Sequence, residues 1–199
     1  MPTVLGIDPG SLVTGYALVR HSGNQFSCAC SGQIALGSGD LATRLTLLFR
    51  ELTRILESQR PECVAVESAF HARGARSALV LGHARGVALL AAGLLGIPVA
   101  EYAPREVKLA VVGRGSATKE QVQFMVRRLL PLARPPREDE ADAMAVGLTH
   151  LHRARLHLPR GRSRAGRPAA EAARWMALAR RAGAADRPAR PRGGGKESR

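Results

Sequence analysis

Apolar and polar positions change period several times along this chain of 199 residues. Val4, Leu5 and Ile7 make a short apolar run that halts at Asp8-Pro9-Gly10, a turn in which Pro9 fixes φ and Gly10 tolerates positive φ. Residues 14–20 and 25–36 read as further strands, with Gly23-Asn24 between them, so the chain opens as an antiparallel meander. Over 40–59 the period becomes helical: Leu41, Leu45, Leu48, Leu52 and Ile55-Leu56 recur on one side. Residues 63–68 are a short buried strand ending in Glu67. Residues 75–95 form a helix rich in Ala and Gly, in which Gly82 and Gly86 stand four apart and permit close helix approach, in the core or between two copies. Residues 97–102 are another strand. Two shorter helices follow. One opens at Pro104, a favoured first helical residue. The other follows Thr118, whose spacing to Gln121 fits a capping box. A last helix covers about 139–157. The order β-β-β-α-β-α-β-α-α-α predicts an α/β fold with one mixed five-stranded sheet and helices on both faces, the helix-linked strands running parallel to the first.

Composition divides the chain in two. Beyond Pro159 the sequence turns to Arg, Gly, Pro and Ala, which predicts a disordered tail over 159–199 after a folded domain over 1–158. One island, 168–182, has helical character and carries the single Trp, Trp175. The net charge is +14, but residues 160–199 hold twelve Lys and Arg against three acids and so account for +9 of it. A polyanion partner, most simply nucleic acid, follows from the total, and the tail is expected to add salt-sensitive affinity. Three cysteines argue against a disulfide scaffold. Cys28 and Cys30 are expected on one strand face, Cys63 stands apart, and zinc-ligand spacing is lacking. The first residues lack a secretory leader pattern, and no run of 18 uncharged apolar residues occurs, so a cytosolic protein without a membrane span is expected.

The chemistry lies in four carboxylates at element ends. Asp8 ends the first strand and Glu67 the fourth; if those strands are parallel neighbours, both acids project from the same sheet edge, where α/β proteins bind ligands. Asp139 and Asp142, three apart at the start of the last helix, share a helix face. Taken singly, Asp8 reads as a turn residue and Glu67 as a solvated strand end, while Glu138 and Glu140 read as complements of a helix N-terminus. Together, such acids repel: two unit charges about 4–5 Å apart cost on the order of 3–4 kcal/mol at an effective dielectric of ~20. A divalent cation removes that cost, and oxygen-only ligands suit Mg²⁺ or Mn²⁺. An acidic metal site in a basic protein is suited to cutting a phosphodiester.

The stretches "GIDPGSLVTGYALV", "AVESAF", "SALVLGHARGVALLAA", "EYAPREVKLAVVGRGSATKEQVQFMV" and "DEADAMAVGLTH" resemble the RuvC-type Holliday junction resolvases, in order and with matching spacing over about 3–155. The resemblance implies an RNase H-like fold, a homodimer, and Mg²⁺-dependent nicking of two like-polarity strands of a four-way DNA junction, leaving 5′-phosphate and 3′-hydroxyl ends. It implies two Mg²⁺ ions per site, with Mn²⁺ as a substitute, and cooperation with the RuvA–RuvB branch-migration complex. Carried over by position, the catalytic and metal-binding acids fall on Asp8, Glu67, Asp139 and Asp142. The position of Asp139 is His in some members. The matching aromatic is Phe70, expected to contact junction bases, with Arg73 and Arg76 as phosphate contacts beside it. Lys108 and Lys119 are the lysines of the folded region in a chain otherwise biased to Arg, and the family has lysines at both positions. Both are expected on DNA, and Lys119 also in catalysis.

Two other readings lose ground. An actin-like or sugar-kinase ATPase opens with a similar strand-Asp-x-Gly hairpin but needs a second related domain, for which the chain is too short. "GRGSATK" (113–119) lacks the spacing of a phosphate loop. His71 reads as a surface residue. His150, His152 and His157 do not share a close helix face and are expected on the helix surface, without a metal role.

Overall fold

The computed structural model describes residues 1–68 and 74–156. Three strands form the meander: β1 (Thr3–Asp8), β2 (Val13–Ser22) and β3 (Gln25–Ala35). They are followed by α1 (Leu41–Gln59), β4 (Cys63–Glu67), α2 (Ala75–Leu94), β5 (Val99–Tyr102), α3 (Pro104–Val112), α4 (Lys119–Leu129) and α5 (Glu138–Leu156). The sheet order is β3-β2-β1-β4-β5; β1 is antiparallel to β2 and parallel to β4, and β4 is parallel to β5.

Alternation along the strands sends side chains to two cores. Leu5, Ile7, Leu18, Val64 and Val66 pack with Leu48, Leu52 and Leu56 of α1 and with Ala84, Ala88, Ala91 and Ala92 of α2. Val4, Ala17, Val19 and Ala65 face the other way, against Met144, Leu148 and Leu151 of α5 and the apolar sides of α3 and α4. Helix starts follow their sequence signals. Asp40 caps α1 by accepting from Thr43 N at 3.0 Å, Pro104 opens α3, and Thr118 and Gln121 form a reciprocal capping box on α4.

Three expectations need correction. A β-bulge between Leu18 and Val19 pairs them with Cys30 and Cys28, so the two cysteines pack on opposite cores rather than sharing a face. Gly10 does not adopt positive φ; its role is close approach, because a Cβ there would lie 1.8 Å from Val13 O. His150 and His152 are not free surface residues. His150 Nδ1 lies 2.9 Å from the Tyr102 hydroxyl, and His152 Nδ1 3.0 Å from Ala110 O, so both tie α5 to its neighbours. His71, His157 and the tail over 159–199, with Trp175, lie outside the described residues.

Candidate active site

Register brings the first two acids together. β1 and β4 pair in parallel from Val4↔Cys63 to Ile7↔Val66, so Asp8 and Glu67 follow at the next step on neighbouring strands. Both are in phase with the residues that face α5, namely Val4 and Gly6 on β1, and Cys63 and Ala65 on β4. A slip of one residue would send either acid to the opposite face.

The second pair arrives on α5, and glycines let it come close. A Cβ on Gly6 would lie 2.0 Å from Ala143 O, and one on Gly15, the cross-strand partner of Asp8, would lie 2.0 Å from Asp139 O. The backbone of α5 thus rests directly on β1 and β2, with its acidic first turns over the strand end that carries Asp8. These glycines were not singled out from sequence, although Gly6 and Gly15 each interrupt a strand on its inward face, the position where a backbone approaches.

Electrostatics show how crowded the edge is. Burial pushes the Asp8 pKa up to about 8, reinforced by the charges of Glu67 and Asp142, the hydrogen bond to Glu67, and the charge of Asp139. Burial also raises Glu67, although the Asp8 hydrogen bond opposes that rise, so Asp8 donates and Glu67 accepts. Asp142 is raised by burial too, against the pull of Lys119. Without a cation the edge holds a proton at neutral pH in place of a full set of charges.

Lys119, the first residue of α4, is the local counter-charge. Its Nζ lies 2.8 Å from Asp142 Oδ2 and also pairs with Glu138. Burial works against its charged form, but the hydrogen bonds to Asp142 and Glu138 outweigh it, and its pKa rises above the ordinary lysine value. Glu138 is therefore more than a complement to the helix N-terminus. Its i, i+4 spacing to Asp142 was the available signal that both could grip one cation. Glu140 also departs from that reading. It is 3% exposed, accepts from Arg134 at 2.8 Å and from Arg137 N at 3.1 Å, and so fastens the loop before α5. Asp139 accepts from Gln33 Nε2 at 2.6 Å. Beside the acids, a cavity of about 270 Å³ is lined by Glu67, Asp142, Lys108 and Lys119 together with the apolar Val107 and Val122.

The structure thus gathers Asp8, Glu67, Asp139, Asp142, Lys108 and Lys119 at one edge. Arg76 is exposed in the first turn of α2. Phe70 and Arg73 lie outside the described residues. Four carboxylates are a hard, oxygen-only donor set of the kind Mg²⁺ and Mn²⁺ take. Burial first, and then the neighbouring acids, raise the pKa of Asp8, and a bound cation would offset both. Among the described residues, no three Asp, Glu, His or Cys side chains stand round a common point as an ion requires. Asp142 is turned onto Lys119 and Asp139 onto Gln33. The donors fit in chemistry and location; their side-chain directions are those of an edge neutralised by its own cation and amide.

The family model described as crossover junction endodeoxyribonuclease RuvC matches residues 4–150. Proteins of that name from Klebsiella pneumoniae (strain 342) and Edwardsiella ictaluri are 49% and 47% identical over 173 residues, covering 82% of this chain and 100% of each relative. Among solved structures, Thermus thermophilus RuvC in complex with a Holliday junction substrate is 36% identical, with a TM-score of 0.74 over 78% of this chain and 96% of that one. The yeast mitochondrial Holliday junction resolvase Ydc2 is 10% identical with a TM-score of 0.59, covering 90% of this chain and 86% of that one, and is a likeness of fold alone. The mixed sheet with helices on both faces is RNase H-like, as in the RuvC structures. With that fold and a match that spans both acid-bearing strands and α5, the chain belongs to the RuvC family of crossover junction endodeoxyribonucleases.

Proposed function

We propose that this chain resolves four-way DNA junctions in recombination and repair, nicking two like-polarity strands symmetrically and leaving 5′-phosphate and 3′-hydroxyl ends. The observation that carries the reading is the meeting of Asp8, Glu67, Asp139 and Asp142 at one sheet edge, next to a lysine-walled cavity. The family's nucleases are metal-dependent. In this chain the four acids would hold Mg²⁺, with Mn²⁺ as a substitute, as two ions per site. Such ions supply activated water and charge neutralisation at the leaving oxygen.

The protein's own residues do the rest. Lys119 lines the cavity with an ammonium that is 46% exposed and held by Asp142 and Glu138, and it would face the charge developing on a scissile phosphate. Lys108, which also lines the cavity, would hold a phosphate oxygen. Val107 and Val122 give the cavity an apolar part of its lining. Phe70 would stack on an unpaired base, with Arg73 and Arg76 on the neighbouring backbone.

Symmetric nicking needs two copies, and α2 supplies a candidate interface. By length and composition it is apolar enough to cross a membrane, yet only a minor part of it is buried within the chain. Its Ala84–Ala88–Ala91 stripe is in the core, while Leu79 and Leu90 are 65% and 54% exposed and Gly82, Gly86 and Gly93 face open space. A homodimer packed through α2 would bury them. Action in the cytoplasm beside the RuvA–RuvB complex and division into a nuclease domain over 1–158 and a basic tail complete the reading.

The test compares a synthetic four-way junction with a linear duplex of the same sequence, with and without Mg²⁺. Paired, ligase-sealable nicks in the junction alone, dependent on the ion, are expected. Equal cutting of the duplex, or cutting in a chelator, would overturn the proposal.

A further inference from the structure

Gln33 has no part in the reading above, yet it touches one of the four acids. It lies on β3 opposite Gly15, the residue whose missing Cβ admits the Asp139 backbone. Its side chain crosses that gap. Nε2 donates to Asp139 Oδ2 at 2.6 Å, and Oε1 accepts from the Arg137 guanidinium at 2.8 Å. A guanidinium can only donate, so the carbonyl end of the amide must face Arg137 and the NH₂ end must face Asp139. Arg137 is itself anchored, because its backbone N–H donates to the buried Glu140, which Arg134 also holds. The loop before α5, the amide and the acid form one connected chain.

We infer that Gln33 is a positioning residue for Asp139, held in a single amide orientation by Arg137. One Asp139 oxygen, Oδ2, is occupied by the amide, which would leave Oδ1 to take an ion. Partners of this kind orient ligating carboxylates, and their loss typically costs about 10–100-fold in metal affinity or activity. The inference rests on the reading of Asp139 as an ion ligand.

The experiment titrates Mn²⁺ into the full-length protein, read by electron paramagnetic resonance, and in parallel measures the Mg²⁺ concentration for half-maximal junction cleavage. Gln33→Met keeps the side chain's length and removes its donor. It should weaken Mn²⁺ binding and raise the Mg²⁺ requirement about tenfold, while metal-free junction binding and thermal midpoint stay within error of the parent. Arg137→Met, on an exposed side chain, leaves Gln33 free to turn and should shift both in the same direction by a smaller factor. Asp139→Asn separates the two ideas. If it binds Mn²⁺ and cuts as the parent does, Asp139 is not a ligand and the inference falls with that reading. If it loses both while Gln33→Met and Arg137→Met move neither, the reading of Asp139 stands and the positioning role is refuted. A Gln33→Met protein that loses thermal stability with an unchanged Mn²⁺ titration refutes it as well.

Discussion

Asp8 carries the largest electrostatic strain in the site, and that strain has a sign. Its pKa in the folded protein stands at about 8 against an ordinary 3.8, so the folded state binds more protons there than the unfolded chain. No stability is lost on this account below about pH 4, and the loss grows as pH rises toward 8. In a chelator, Asp8→Asn should therefore be more stable than the parent by roughly 1–3 kcal/mol at pH 8, with a smaller gap at pH 5. Denaturant unfolding at the two pH values measures this, and a gap that shrinks with rising pH would contradict it. Lys119 makes a separate prediction. Lys119→Met should lower junction cleavage by about 10²–10³-fold, as loss of a charge aimed at developing negative charge does, while junction affinity changes only a few-fold. A fall in affinity as large as the fall in rate would make Lys119 a binding residue only. Asp8 and Glu67 stood out in the sequence as charges ending apolar strands, whereas the choice of Asp139, Lys108 and Lys119 leaned on the family resemblance. Gln33, Arg137 and Glu138 did not stand out, because each is an ordinary polar residue in its own segment and gains meaning from a partner on another element, 106 positions away for Gln33 and Asp139.

At the scale of elements, the site depends on α5 lying backbone-to-backbone on β1 and β2. Gly15→Ala puts a Cβ 2.0 Å from Asp139 O, with no flexible side chain to yield, so α5 must move away. We expect a stability loss of about 1–3 kcal/mol, typical of overpacking. Cleavage should fall by about 10²-fold or more, because a displacement near 1 Å spoils catalytic geometry. Thermal unfolding and single-turnover cleavage of the same preparation separate the two, and a destabilised variant that cuts at the parental rate would contradict the account. The elements themselves were largely readable from apolar period and cap signals, since each reflects contacts within a few residues. The β-bulge at Leu18/Val19 was not, and with it went the facing of Cys28 and Cys30. A bulge is set by pairing across strands, and two cysteines two apart read as one face until the ladder is known. The histidines of α5 failed similarly: Tyr102, His150's partner, is 48 positions earlier on β5.

At the scale of the whole molecule, charge is unevenly distributed. The acids gather where the ends of β1 and β4 meet the start of α5, while residues 160–199 contribute +9 of the net +14. Deleting 160–199 should flatten the salt dependence of junction binding by several units of log–log slope, at ~0.9 for each phosphate the tail no longer neutralises. An unchanged slope would leave the tail without a DNA role. The parallel order of β1, β4 and β5 was predictable from helix-linked strands, and it is this order that makes Asp8 and Glu67 neighbours. The central claim is that the gathered acids cut the junction rather than merely shape the sheet edge. The most direct measurement is Mg²⁺-dependent cleavage of a four-way junction by Asp8→Asn, beside its binding of that junction in a chelator. The account predicts parental binding with cleavage reduced by at least ~10³-fold, as for a lost essential catalytic group. Parental cleavage by Asp8→Asn would contradict it.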